Sequence, residues 1–487
     1  MKRFFLATSV MALAACSTMQ PAYERPAAPV AGEFPTGPAY KAAPDGSPAV
    51  DIGWRDFLAD PRLQRLVEIA LKNNRDLRMA VLNVAQVQAQ YRIQRAALLP
   101  QVSGFADALH SRTPGSLTQS GNPLVSHTYE AGVSASWEID LFGRLRSLSD
   151  AALEQYFATA YARQAAEILL VSQVADQYLT MLAFDEQLAV TRQTLETAQA
   201  SYKIVKLQFD TGTAPELTLR QAQSIVEQAN TTNAAQVRAR AQAENGLVLL
   251  LGQSLPANLP PMLPMGEQKI LADIPAGLPS DLLTRRPDIL QAEALLRSEN
   301  ANIGAARAAF FPRISLTGSV GTASATLGGL FGGGSTAWSF LPSITVPIFS
   351  GGALQASLDV AKIQKDIGIA QYEKAIQVAF REVADGLAAR GTYDEQLASQ
   401  ERFTASQRRQ LELADFRYRN GADTYLNVLI AQTALYNAQL TLVSTRLQRL
   451  TSLVDLYRSL GGGWIERIGE QPRPADDGAA ATKATAG

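Results

Sequence analysis

Hydrophobic and polar residues alternate with a period of two in two stretches of the chain. In the first stretch, apolar side chains occupy every second position: Tyr129, Ala131, Val133, Ala135, Trp137 and Ile139. The second stretch repeats the pattern at Trp338, Phe340, Pro342, Ile344, Val346 and Ile348. Such a period puts alternate side chains on opposite faces of a β-strand. With a weaker Gly- and Ser-rich strand before each, the pattern predicts β-hairpins at about 101–140 and 313–348, with loops at 112–127 and 324–337.

Long stretches without glycine or proline predict the helices. The segment 144–210 contains neither residue, and it predicts one helix of about 65 residues, or roughly 100 Å at 1.5 Å per residue. No compact domain accommodates that length, so we expect a coiled-coil-like rod. A second rod is predicted over 353–419, where the isolated Gly368, Gly386 and Gly391 weaken the helix but do not end it. Helices resume over 215–251 and 423–460. The Ala-, Gln- and Leu-rich segment 62–99 is predicted to be a single helix.

The chain contains the same unit twice. Segments of the first copy match segments of the second in one register without gaps: Val174-Ala175-Asp176 with Val383-Ala384-Asp385, Asp185-Glu186-Gln187-Leu188 with Asp394-Glu395-Gln396-Leu397, and Leu251-Gly252 with Leu460-Gly461. Copies of this length indicate one architecture used twice and not a short solenoid repeat. The predicted repeats are 58–252 and 284–462, joined by a Pro-rich linker at 253–283. An extended segment at 16–57 precedes them, and a tail at 463–487 follows.

The first residues are typical of an export signal. Lys2 and Arg3 precede an apolar stretch that is too short to anchor a helix in a bilayer. The stretch ends at small residues followed by Cys16, the only cysteine of the chain. This pattern resembles the bacterial lipobox, which implies a signal peptide at 1–15 and diacylglycerol on Cys16, with Ser17 directing the protein to the outer membrane. The alternative is an ordinary signal peptide with an incidental cysteine.

Composition argues against nucleic-acid binding and against catalysis. Lys plus Arg number 44 and Asp plus Glu 45, so the net charge of −1 gives no basic surface for nucleic acid. No phosphate loop, nucleophile motif or metal-ligand cluster is present in the sequence. The two histidines, His110 and His127, are expected in or beside the first hairpin loop, at the surface. We therefore expect no catalytic residues, no metal and no cofactor other than the lipid.

No later segment reaches about 18 consecutive apolar residues, so the sequence predicts no transmembrane helix. A chain that crosses a membrane by other means must do so as a closed β-barrel, because lipid cannot satisfy open strand edges. Four strands cannot close on themselves, since a barrel needs about eight or more. Several chains must therefore associate, and strand number alone permits two to four of them.

Four motifs resemble the TolC/OprM outer-membrane factor family, in its lipoprotein (NodT-type) branch. They are 137–144 (WEIDLFGR), 285–289 (RRPDI), 307–318 (RAAFFPRISLTG) and 347–352 (PIFSGG). The resemblance covers nearly the whole chain. It implies a mostly α fold with a membrane β-barrel: a TolC-like homotrimer whose twelve-stranded barrel, four strands from each protomer, continues into a long periplasmic α-helical barrel. It also implies a periplasmic adaptor (a membrane fusion protein) and an inner-membrane pump of the RND type as partners.

The same resemblance implies a gate at the periplasmic end of the helices. By position, Tyr418 matches a tyrosine that tethers neighbouring helices, and Leu426 matches an apolar constriction. Asn427 and Ile430 stand where relatives place pore-ring aspartates. The familiar acidic ring is therefore absent at those levels of the predicted tunnel.

Two nearby carboxylates, Asp423 and Glu216, could supply a substitute ring that attracts cations. The alternative is that both residues lie at helix starts, where carboxylates favour exposed N–H groups. Gly212 and Gly421 are the centres of the two helix reversals. They are the expected adaptor-docking points, and they also suit a turn that requires positive φ.

The sequence therefore predicts the passive outer-membrane channel of a tripartite efflux system for drugs or small solutes in a Gram-negative bacterium. Two other cargoes remain open within the same class, namely metal ions and proteins secreted by a type I system. A lipid-anchored coiled-coil scaffold without a pore is the alternative from a different class.

Overall fold

The computed structural model describes residues 18–41, 48–272, 274–275 and 279–469. The strands within them are β1 (Gln101–Thr113), β2 (Leu124–Ile139), β3 (Arg313–Ser324) and β4 (Thr336–Thr345). The helices are α1 (Trp54–Phe57), α2 (Pro61–Asn73), α3 (Arg75–Ala96), α4 (Arg144–Asp210), α5 (Glu216–Leu251), α6 (Pro279–Arg285), α7 (Pro287–Ala308), α8 (Ala353–Arg419) and α9 (Tyr425–Ser459). The predicted signal peptide, Cys16 and residues 470–487 lie outside the described residues. Among the helices described, none is long and apolar enough to cross a membrane.

The two longest helices, α4 and α8, each contain 67 residues and begin and end where the sequence patterns do. Glycines inside α8 do not interrupt the helix. Neighbouring chain segments approach closely at these positions, which leaves no room for a larger residue. A Cβ atom added at Gly386 would lie 3.0 Å from the Cδ1 atom of Leu456 on α9. One added at Gly391 would collide with the carbonyl oxygen of Ala39. These glycines therefore serve packing at the expense of some helix propensity.

The prediction of a single helix over 62–99 is wrong, because the chain leaves the helix at Asn74. This residue has φ −59° and ψ 133°, and it separates α2 from α3. Its side-chain oxygen accepts a hydrogen bond from the backbone N–H of Leu77 at 2.9 Å, and its amide donates to the carbonyl oxygen of Leu250 at 2.9 Å. Asparagine favours such a helix-capping position over a helix interior.

Two segments predicted to lack regular structure contain helices. The predicted linker 253–283 overlaps α6, which begins at Pro279; proline is tolerated in the first turn because its missing N–H would have no partner there. The predicted extended segment 16–57 includes the single turn α1. Trp54 and Phe57 of that turn are buried, and the Phe57 ring stacks on Tyr457 at 4.0 Å between centroids.

The four strands form one antiparallel sheet in the order β1-β2-β3-β4. The two hairpins, one from each copy, meet where β2 pairs with β3 in a register that sets Trp137 opposite Leu316. Strand β4 is shorter than predicted, so Val346 and Ile348 follow it and do not belong to it; Pro347 between them has no N–H to donate to the ladder. Within the described chain, β1 and β4 are the outer strands, each with one edge unpaired.

The described residues divide into two compact units. The first comprises those within Met1–Ala27, Asn83–Ala160 and Gln291–Glu373, and it contains the sheet. The N-terminal segment is held there by Arg25, which contacts the buried carboxylate of Glu293 at 2.8 Å, as does Arg297 from the same helix as Glu293. Burial would raise the pKa of Glu293, but the hydrogen bonds from these two guanidinium groups hold it below its usual range.

The second unit comprises the described residues within Ala28–Leu82, Tyr161–Leu290 and Lys374–Gly487. Its core contains fully buried aromatic and aliphatic side chains from both copies: Tyr178, Leu179, Leu247, Leu251 and Tyr457, with Leu63 and Leu66 of α2. The buried hydroxyls also have partners, since Tyr178 donates to Asp60 at 3.1 Å and Tyr457 to the carbonyl oxygen of Ile52 at 2.6 Å.

Candidate functional site

One face of the sheet is mainly apolar and exposed, with His110, His127 and Arg112 toward the loop end of its first hairpin. Large hydrophobic side chains from all four strands share it, and they are between 47% and 76% exposed: Val102, Val133, Val320, Trp338, Phe340 and Ile344. The register sets Val133 opposite Val320, and Val320 opposite Trp338. A continuous apolar face of this kind on a soluble monomer is unusual, and it marks a surface that contacts another apolar phase or another protein.

The opposite face of the same sheet carries rows of hydroxyl groups, together with the exposed Leu109 and Leu341. One row of serines crosses all four strands in register: Ser103, Ser134, Ser319 and Ser339. Hydroxyl contacts of 3.0 Å and 2.8 Å join the outer two pairs of this row, and Ser315 meets Ser343 at 2.7 Å. The sheet therefore has one mainly apolar face and one face with rows of hydroxyl groups.

The WEIDLFGR motif forms the connection from the sheet to the first long helix. Asp140 accepts hydrogen bonds from the backbone N–H groups of Leu145 at 3.1 Å and Arg146 at 2.9 Å, so it caps the start of α4. Arg144 donates to both carboxylate oxygens of Glu138 at 2.9 Å. Gly143 has φ +74°, which a residue with a side chain rarely adopts. Several residues of the motif therefore have a local structural role in the turn between the sheet and α4.

The two helix reversals have the same backbone geometry. Gly212 (φ +78°) and Gly421 (φ +70°) follow α4 and α8. The N–H of Thr213 bonds to the carbonyl oxygen of Gln208 at 2.8 Å, and the N–H of Ala422 bonds to that of Arg417 at 2.9 Å. This is the Schellman arrangement, in which glycine is favoured because φ is positive.

Tyr418 lies beside an apolar cluster that joins helices from both copies. The buried members of this cluster are Val205, Ala222, Tyr425, Val428 and Leu429. The Tyr418 ring lies 5.3 Å from that of Tyr425, and its hydroxyl contacts the side-chain oxygen of Gln208 at 3.5 Å. Tyr418 therefore connects α8 to α4 within one chain.

Asp423 has partners within its own chain. Its carboxylate accepts hydrogen bonds from the backbone N–H of Thr424 at 2.8 Å, from the amide of Asn427 at 2.5 Å and from Arg417 at 3.2 Å. The backbone bond, followed by those from Asn427 and Arg417, lowers the pKa of Asp423. It is thus an ionised group just before α9.

Glu216 begins α5 and pairs with Arg220 one turn later at 3.2 Å. Both carboxylates proposed for an acidic ring therefore lie at helix starts and face a guanidinium group. Leu426 and Ile430 are exposed on α9, at 47% and 54% of their surface.

The two histidines were predicted in or beside a loop, and that prediction is wrong in part. His110 is in β1 and His127 in β2, directly opposite each other in the register. The hairpin loop is shorter than predicted, because β2 already begins at Leu124. Both rings are exposed, as expected.

Sequence patterns missed several residues around the reversals and the sheet. Arg417 and Gln208 carry the contacts of Asp423 and Tyr418, but they stand out by no spacing or motif. The serine row could have been found only from the pairing of β2 with β3, which the alternation within each strand does not specify.

Comparison with known proteins gives a consistent result for both copies. The family model described as "Outer membrane efflux protein" matches residues 66–253 and 278–462. The toluene efflux pump outer membrane protein TtgC of Pseudomonas putida is 47% identical over 473 residues, which are 96% of this chain and 97% of that protein.

Solved structures agree with the sequence relatives. The MtrE outer membrane channel of Neisseria gonorrhoeae, in its open state, is 40% identical, with a TM-score of 0.83 over 93% of this chain and all of that one. The CmeC outer membrane channel of Campylobacter jejuni is 27% identical, with a TM-score of 0.86 over 96% of this chain and 98% of that one. The mostly helical fold with its small antiparallel sheet is therefore that of TolC-like outer membrane channels.

Proposed function

Because the chain belongs to the outer membrane efflux protein family, we propose that three copies close into one duct through which an efflux system discharges its cargo. The protein is an outer-membrane component of an efflux system, in a family of channels and not of enzymes. The observation that carries the proposal is the two-faced, four-stranded sheet whose outer edges have no partner within the described chain.

The unpaired edges of the sheet support this assembly. In hydrocarbon, each backbone N–H and C=O group without a hydrogen bond costs several kcal/mol, so a spanning sheet must have no free edge. A four-stranded sheet cannot remove its own edges, but β1 of one chain can pair with β4 of the next. Three chains then give a twelve-stranded barrel, which continues into a barrel of the long helices in the periplasm.

The difference between the two faces supports an orientation in which one face of each strand points to lipid and the other to the interior of the barrel. The exposed apolar face, with Trp338 and Phe340, lies against lipid. The serine row lines the interior, where hydroxyl groups keep water in the channel without selecting a cargo. The duct is therefore passive, and the partner pump selects what passes.

The helix reversals are the docking points for a periplasmic adaptor, which links the duct to an inner-membrane pump of the RND type. Supporting this role, several large hydrophobic side chains near the reversals are exposed at 59% or more in the single chain: Ile204, Leu207, Leu217 and Phe416. Gly212 and Gly421 give these turns their shape. Neighbouring chains and the adaptor would cover this apolar surface.

The same region is the closed gate. Tyr418 and Leu426 narrow the tunnel. Asp423 holds the second turn through Arg417, and Glu216 pairs with Arg220 at the start of α5. Lipid on Cys16, outside the described residues, adds an anchor in the outer membrane. No further cofactor is proposed.

The experiment is reconstitution of the purified protein in planar bilayers, combined with gels of unboiled and boiled samples. The duct predicts stepwise ion conductance and a trimer band that boiling converts to monomer. Monomer without conductance would contradict the duct and favour the scaffold. Returning the gene to a strain that lacks it then identifies the cargo. Restored export of toluene or antibiotics supports drug and solute efflux, whereas restored export of only metal ions or a protein would overturn that cargo.

A further inference from the structure

The chain has two histidines, and the first hairpin brings them together. His110 and His127 lie seventeen positions apart in sequence, and the antiparallel pairing of β1 with β2 sets them side by side. Directly opposed residues of an antiparallel pair have Cβ atoms about 5 Å apart, which suits two imidazoles directed at one point. The pair is three register positions from the strand ends at the hairpin loop.

The ring nitrogens converge. The Nδ1 atoms of the two rings are 2.5 Å apart, and the rings meet nearly edge to face at 4.7 Å between centroids. At that distance the Nδ1–H of one neutral ring can donate to the bare Nδ1 of the other. When both nitrogens are bare, their lone pairs face one point that a metal ion can occupy.

We propose that His110 and His127 form a two-imidazole site for a divalent transition-metal ion of the Cu²⁺, Ni²⁺ and Zn²⁺ class. Metal–nitrogen bonds of about 2.0–2.1 Å at a right angle put two nitrogens about 2.9 Å apart. The rings reach that spacing by a small rotation, and both are exposed. Imidazole donors favour this class of metals over Mg²⁺ and Ca²⁺, which prefer oxygen ligands.

The pair lies near the loop end of the same face of the sheet as Val102 and Val133, and that face of β1 and β2 offers no carboxylate beside it. The nearest carboxylates along the strands, Asp107 and Glu130, lie opposite each other in the register, on the other face of the sheet. Tyr129 packs its ring edge-on against His110 at 5.5 Å, which limits where that imidazole can turn. Among the described residues, no group of three or more His, Cys, Asp or Glu could hold a metal, so the site is an open one with two protein donors.

The test uses protein purified with a tag that contains no histidine and titrated with Cu²⁺ alone. We expect one Cu²⁺ ion per chain, with an electron paramagnetic resonance spectrum showing two equivalent imidazole nitrogens. His110→Asn and His127→Asn should each weaken binding about ten-fold or more, because a lost ligand costs at least as much as a lost outer partner. Each should also reduce the spectrum to one imidazole nitrogen.

Arg112→Gln is the matched control, since Arg112 lies on the same face of β1 two positions away and removing its charge should not weaken Cu²⁺ binding. Equal Cu²⁺ affinity in the wild type and in the His110→Asn/His127→Asn double variant would overturn the site. Circular dichroism and boiled against unboiled gels check that each variant folds. The site is independent of the proposed duct, so conductance should be the same in all these variants.

Discussion

Asp176 on α4 is a carboxyl group with an unusual environment. Burial, and then the neighbouring carboxylate of Asp455, raises the pKa of Asp176 to about 7, while Arg458 opposes the shift. One of its oxygens has no hydrogen-bond partner among the described residues. Because the folded-state pKa is raised above the usual value of aspartate, folding takes up a proton at intermediate pH. The ionised group therefore costs stability as pH rises to about 7, and the cost is complete above that.

We predict that Asp176→Asn stabilises the protein at pH 8, by at most about 4 kcal/mol for a shift of about three pKa units. The gain should shrink steadily as the pH is lowered toward 4, where the native aspartic acid is also neutral. Thermal unfolding of both proteins at pH 8 and pH 5 measures the difference. Asp385→Asn is the matched control, because Asp385 is the counterpart in the second copy and its side chain is 75% exposed. An equal gain in both variants, or a gain that does not depend on pH, would contradict the assignment.

At the gate, Tyr418 joins α8 to α4, and Asp423 holds the second reversal through Arg417 and Asn427, so the loss of these contacts should loosen the reversals. We predict that the Tyr418→Phe/Asp423→Ala double variant conducts more than the wild type in planar bilayers. The phenylalanine cannot contact Gln208 through a hydroxyl, and the alanine releases Arg417 and Asn427. Glu412→Gln is the control, since its ion pair with Arg409 on α8 is solvent-exposed. Unchanged single-channel conductance in the double variant would show that these contacts do not hold the gate.

The strand is the smallest element on which the lipid and water faces can be compared. Val133 and Ser134 are neighbours on β2 but point to opposite faces of the sheet. We predict that Val133→Arg blocks assembly in the outer membrane, because an arginine on the lipid face costs about 2–4 kcal/mol in each copy near the bilayer centre. Ser134→Arg should assemble and change the conductance. The amount of trimer in outer-membrane fractions of the two variants is the measurement, and equal assembly of both would contradict the proposed orientation.

The bounds of most helices and strands could be obtained from the sequence, and each exception has a physical reason. The bounds of α4 follow from where glycine and proline are absent, and those of α8 follow from its match to α4 in the repeat, since α8 itself contains glycines. The break at Asn74 could not be found in this way, since its capping bonds depend on Leu250, far along the chain. Likewise, the pairing of His110 with His127 needs the register of β1 and β2, which residue alternation alone leaves open.

For the whole molecule, the repeat and the family motifs predicted the fold class, and the residues 66–253 and 278–462 match the family model. The roles of the predicted gate and docking residues were carried by position from the resemblance. The structure adds the in-chain partners Arg417, Arg220 and Gln208. Asp423 and Glu216 therefore form ion pairs at helix starts, whereas the carboxylates of a cation-attracting ring would have no such partner.

The closure of sister chains into one cylinder is tested most directly by the native mass of the complex extracted from outer membranes in detergent. The unpaired edges of β1 and β4 predict that chains associate, and the proposed trimer predicts a complex of three mature chains that stays intact when the acyl groups are removed. A particle with the mass of one chain, released from the membrane once its lipid is cleaved, would contradict this account.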